Sequence, residues 1–123
     1  MKTKSLLAAL LMGALAVTLY AESSITTAEA AKKLKAGAVL VDVRTREEFS
    51  SNHLASATNL PLDTVKTSIT NVVPDKSTVI LLHCRSGRRS GIAEKDLRAA
   101  GYTNCFNVGS YEQAEAVVKA KGK

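Results

Sequence analysis

The chain has 123 residues, enough for one domain around a single core and too few for two. Lys and Arg outnumber Asp and Glu by 17 to 11, for a net charge of +6. There is no Trp, and the three Tyr, two Phe and two His lie outside any basic cluster, which argues against nucleic-acid binding; the two Cys and two His are too scattered for a metal site.

Lys2 and Lys4 precede an apolar run from Leu6 to Leu19, and small residues lead up to Ala21. A basic flank, a run of this length and a small-residue exit predict an export signal over 1–21, cut after Ala21, with the domain occupying 22–123. The run is short for a membrane span of roughly 20 apolar residues, and an uncleaved anchor is the alternative. Removing two lysines lowers the net charge from +6 to +4. Export also implies an oxidising compartment, so the state of Cys84 and Cys105 matters.

Thr26 with Glu29 three residues on is a capping-box signature, and the helix it opens stops at Gly37. AVLVDV, Ala38 to Val43, is an almost unbroken apolar strand, the pattern of a strand covered on both faces. Thr45 with Glu48 opens a short helix over Arg46 to Ser51. SATNL is a short strand ended by Pro61, and LDTVKTSITNVV is a helix made poor by its β-branched residues. STVILLH is the central-strand candidate, followed by a helix in RSGIAEKDLRAAG that Gly101 ends. NCFNV is a strand and YEQAEAVVKA the closing helix. Strands alternating with helices predict an α/β domain with a parallel sheet.

Cys84 leaves the central-strand candidate and directly precedes a helix, and in open parallel sheets ligands sit at the carboxyl ends of strands. Gly87 permits a tight turn, which lets the amides of Arg85 to Ser90 point inward around the sulfur. A ring of amides at a helix N-terminus binds anions and favours a thiolate. Helix N-termini prefer acids, yet Arg85, Arg88 and Arg89 gather at this one. That local conflict points to a negatively charged ligand. A buried structural thiol beside solvated arginines is the plain alternative.

CRSGRR, Cys84 to Arg89, resembles the six-residue active-site loop of the single-domain rhodanese (thiosulfate sulfurtransferase) family. VDVRTREEF (Val41 to Phe49), HLASATNLP (His53 to Pro61) and GYTNCFNVGSYEQA (Gly101 to Ala114) resemble other elements of that family. The chain departs from it where the family often has Gly-His-Ile-Pro-Gly-Ala, here Asn52 to Ala57, and where it often has two glycines, here Gly109-Ser110. The resemblance implies a rhodanese-like α/β fold, a central, mainly parallel five-stranded sheet with helices on both faces. It also implies sulfur transfer from thiosulfate to cyanide or a thiol through a Cys84 persulfide. Arg85, Ser86, Gly87, Arg88, Arg89 and Ser90 would bind the substrate, with no cofactor and no metal. With the export signal it implies a periplasmic protein, monomeric and free of stable membrane association.

A Cys-based phosphatase would carry its arginine six positions after the cysteine, where this chain has Ser90; the arginine comes one step early, at Arg89. The shorter ring fits a single sulfur and excludes a phosphorus with its oxygens. A phosphatase and a non-catalytic binding module remain the competing functions; a thiol–disulfide oxidoreductase is weaker, for want of Cys-x-x-Cys. His83 alternates in direction with Cys84 along the strand and reads as structural, His53 as a hydrogen-bonded loop residue, and Asp42 with Arg44 as a buried polar pair. Ser90 is a candidate helix cap. Cys105 starts its strand whereas Cys84 ends its own, a separation beyond the roughly 7 Å that a disulfide spans between Cα atoms, so both are expected free.

Overall fold

The structure is a computed structural model that describes residues 23–123, so the expected export segment and its cleavage site lie outside the described residues. Helix α1 (Thr27–Lys35) starts where the Thr26 side chain accepts from the Glu29 amide, and its end passes into Gly37 at φ +109°. Strand β1 (Val39–Asp42) leads to α2 (Arg46–Ser51), whose Thr45–Glu48 capping box is complete in both directions. Strand β2 (Thr58–Asn59) is followed by α3 (Val65–Val72). Strand β3 (Ile80–His83), α4 (Arg88–Ala99), β4 (Cys105–Gly109) and α5 (Tyr111–Lys121) complete the chain.

Helix α3 forms against its own propensity because tertiary contacts hold it. Val65 and Ile69 are fully buried, and the Tyr102 hydroxyl donates to the Val73 carbonyl at 2.7 Å, satisfying a terminal acceptor. At α5 a second capping box, Ser110 with Gln113, sets the start, a signature the sequence reading passed over.

The strands run in the order β2-β1-β3-β4, all parallel, with Asp42 beside His83 and Ile80 beside Cys105. Helices α3 and α4 cover one face, packing with Val41, Val43, Ile80, Leu82 and Cys84; α1 and α5 cover the other with Leu40, Leu81 and Val108. This two-sided burial explains why β3 is apolar throughout: Ile80, Leu81 and Leu82 are all fully buried. Each contributes about 1.5–3 kcal/mol on burial, which anchors the strand end from which Cys84 departs.

The sheet corrects one expectation: it has four strands among the described residues, where five were expected. The chain ahead of α1 does run beside β4, but it makes a single backbone bond there, Ser24 N–H to Asn107 O at 2.9 Å. The reciprocal Asn107 N–H is taken by side chains, Ser24 Oγ at 2.9 Å and Glu94 Oε2 at 2.8 Å. Side-chain bonds thus occupy the edge where a ladder would have grown.

Candidate active site

The β3–β4 register shifts between Leu82 and His83, so that His83 pairs with Gly109. The shift lets Gly109 O accept from Cys84 N–H at 3.2 Å, and Tyr111 N–H donates to Arg85 O at 3.2 Å. Ser86 also bridges to Ser110. The start of the cysteine loop is therefore stitched to the end of β4. Gly87 then reverses the chain at φ +94°, and a Cβ there would lie 3.1 Å from the Gly109 Cα. Backbone cannot swing away as a side chain can, so both the dihedral and the space demand glycine.

That turn aims amides at the sulfur. Gly87 N–H donates to Cys84 Sγ at 3.0 Å. Burial pushes the Cys84 thiol up, but the Ser90 hydroxyl and the amides of Ser90, Gly87 and Ser86 outweigh it, and the net shift is downward. Cys84 is fully buried, with these donors turned towards its sulfur. The Arg88 amide does not join them; it donates to Ser86 Oγ at 3.4 Å.

Ser90 was expected to cap α4, and the structure corrects this. Gly87 holds the N-cap position without any side-chain cap bond, while Ser90 lies inside the helix and is fully buried. Its one hydroxyl proton is within reach of two acceptors, Asn107 Oδ1 at 2.7 Å and Cys84 Sγ at 3.4 Å. Asn107 Nδ2 in turn donates to Gly87 O at 3.0 Å. Asn107 thus braces both the turn and the serine. The sequence reading missed it, although a polar residue in the apolar strand CFNVG was the available signal.

The predicted loop residues divide in two. Cys84, Gly87 and Ser90 converge around the sulfur, whereas Arg85, Ser86 and Arg88 are exposed at the rim. Arg89 is engaged: its two terminal nitrogens donate to Glu48 Oε1 and Oε2 at 2.7 and 3.1 Å. Glu48 was legible only as a capping residue of α2. Its second partner sits forty-one positions along the chain.

His83 points to the other face, edge-on to Tyr111 with ring centroids 5.7 Å apart. Its Nδ1 bonds to Cys84 O at 3.1 Å, and its Nε2 lacks a hydrogen bond and stands 3.6 Å from Asp42 Oδ2. Burial lowers its pKa. Asp42 and Arg44 form the expected buried pair, Nη2 to Oδ2 at 2.7 Å, and Arg44 also donates to Asn52 O at 2.8 Å. His53 is, as expected, a hydrogen-bonded loop residue, its Nδ1 bonded to Phe49 O in α2 at 2.9 Å. Cys105 is buried and free, its thiol donating to Tyr102 O at 3.2 Å. Its register partner Ile80 lies four residues below Cys84, about 13 Å at strand rise, well outside disulfide reach.

Residues 26–116 match the rhodanese-like domain family. The chain belongs to that family. It is 39% identical over 82 residues to the thiosulfate sulfurtransferase PspE of Escherichia coli, covering 67% of this chain and 78% of the relative. It is 37% identical over 100 residues to the chloroplastic thiosulfate sulfurtransferase 16 of Arabidopsis thaliana, covering 72% of this chain and 83% of that one. Among solved structures, a rhodanese with anions from E. coli superposes with a TM-score of 0.58 at 38% identity, covering 60% of this chain and 87% of that one. A human single-domain sulfurtransferase, TSTD1, shares the rhodanese fold with a TM-score of 0.63 at 24% identity, covering 74% of this chain and 93% of that one.

Proposed function

We propose that this protein is a thiosulfate sulfurtransferase that carries sulfur as a persulfide on Cys84. The supporting observation is the sulfur's position inside a six-residue loop, Cys84 to Arg89, with the Gly87 amide 3.0 Å from Sγ and the net shift of the thiol downward. The Cys84 thiolate attacks the outer sulfur of thiosulfate. An S–S bond forms as the donor's own S–S bond breaks, and sulfite leaves with that electron pair. The negative charge then resides on the terminal persulfide sulfur, among amides that need not reorganise to receive it. An acceptor nucleophile, cyanide or a thiolate, attacks that terminal sulfur and returns Cys84 as thiolate. Thiocyanate or an acceptor persulfide departs.

Arg85 and Arg88, exposed at the rim, draw the dianionic donor in. Gly87 shapes the turn, and Ser90 with Ser86 holds the loop. The apolar run ahead of the domain supports export to the periplasm, with cleavage after Ala21. The sequence relatives named thiosulfate sulfurtransferases support the choice of donor.

Mass spectrometry after incubation with thiosulfate tests the reading. The expected product carries one added sulfur, located on Cys84 and discharged by cyanide. Cys84→Ser should take up no sulfur and transfer none. Transfer persisting in Cys84→Ser, or sulfur found on Cys105 instead, would overturn the assignment.

A further inference from the structure

We propose that Glu48 is the counter-charge that sets how tightly this site holds anions, by competing with the sulfur donor and with departing sulfite for Arg89. The inference deepens the sulfurtransferase reading and rests on it. One carboxylate engages two of the three loop arginines. Both its oxygens take Arg89, at 2.7 and 3.1 Å, and Oε2 stands 3.6 Å from Arg85 Nε. The Arg89 charge is therefore already answered before any anion arrives, and a donor must share it.

The carboxylate is held there independently of the arginines. Thr45 donates to Glu48 Oε1 from its amide and from its hydroxyl, each at 3.1 Å, as part of the α2 cap. The start of α2 thus presents a fixed negative charge to the start of α4. Hydrogen bonding from Arg89 depresses the Glu48 carboxyl to about 2, so it is ionised at neutral pH. Three arginines against one carboxylate and the Cys84 thiolate leave a surplus of one positive charge around a loop that meets a dianion. Removing the carboxylate strengthens the hold on thiosulfate and on sulfite alike. Because sulfite must leave before the second half-reaction, excess affinity slows turnover.

A merely structural Glu48 predicts the opposite sign. If it served only to strap α2 to α4, its loss would loosen the mouth and weaken anion binding. Glu48→Gln separates the two roles, because glutamine at the third position of a helix still completes a capping box while carrying no charge.

Steady-state transfer from thiosulfate to cyanide, with sulfite as inhibitor, tests this. In Glu48→Gln the KM for thiosulfate and the sulfite inhibition constant should both fall about two- to fivefold, the range of a partly exposed ion pair. The kcat should fall with them, and high salt should shrink the difference. Arg89→Gln should shift both constants upward, a prediction that stands even if Glu48→Gln fails to fold. In the Arg89→Gln background the effect of Glu48→Gln should diminish. Unchanged or weakened sulfite inhibition in a folded Glu48→Gln would overturn the counter-charge role. Unchanged sulfite inhibition in Arg89→Gln would overturn it equally. Absence of added sulfur on Cys84 in the unmodified protein would instead overturn the sulfurtransferase reading itself.

Discussion

At the scale of single residues, two cysteines buried in one small domain have opposite chemistry. Burial raises both thiols, yet Cys84 ends below its ordinary value because the Ser90 hydroxyl and three loop amides favour the charged form, while Cys105 ends above it. Alkylation by iodoacetamide at neutral pH should therefore label Cys84 ahead of Cys105, read by peptide mass spectrometry. Ser90→Ala removes one of the groups that favour the thiolate, so the pH midpoint of Cys84 alkylation should move upward. Labelling at neutral pH should slow accordingly. An unchanged midpoint would assign the effect to the amides alone. The sequence singled out Cys84 over Cys105, because its neighbours are a glycine, serines and arginines. Asn107, which orients Ser90 from twenty-three residues beyond Cys84, was hidden because only the β3–β4 register brings it there.

At the scale of elements, the turns decide what the helices and strands can present. Gly87 combines a positive φ of +94° with backbone contact at 3.1 Å, so Gly87→Ala should cost about 1–3 kcal/mol in urea unfolding and most of the transfer activity. The connection between α2 and β2 offers the reverse case. Ser56 adopts φ +66° at a position where the resembled family often has glycine. Relieving an L-residue of the left-handed region stabilises by about 0.5–1 kcal/mol, so Ser56→Gly should raise the unfolding midpoint while leaving kcat unchanged. The other departure from the family pattern is resolved by geometry. Ser110 has an ordinary φ of −74° and caps α5, a job glycine would do less well, whereas Gly109 keeps the positive φ of +115°.

At the scale of the whole molecule, a buried polar layer behind the loop joins stability to pH. Arg44 and Asp42 are 4% and 0% exposed, so Arg44→Met would strand a carboxylate in the interior. That should cost about 3–5 kcal/mol by chemical denaturation, and a near-neutral result would show that Asp42 finds another partner. His83 sets a separate window. Burial holds its folded pKa below 6.5, so as pH falls through about 6.5 the unfolded chain binds the proton first, and stability declines. Unfolding free energy should therefore drop between about pH 7.5 and 5.5, with a shallower slope in His83→Asn. Glu48 acts lower: its folded pKa of about 2 is depressed from 4.5, so its contribution is complete above 4.5 and is lost as pH falls towards 2. That loss should stay within about 1 kcal/mol, since the pair is partly exposed.

The sequence by itself determined the alternating α/β order, the central place of β3 and which cysteine stands at the candidate site. Each rests on local signals: capping pairs, an apolar run long enough to be covered twice, and a cysteine set between a strand and a glycine turn. Only the tertiary structure decided that the sheet has four strands among the described residues, that Ser90 serves the sulfur rather than the helix end, and that Glu48 answers Arg89. Those outcomes turn on pairings between residues far apart in the chain, and neither periodicity nor capping chemistry encodes which distant groups the packed faces bring within a hydrogen bond.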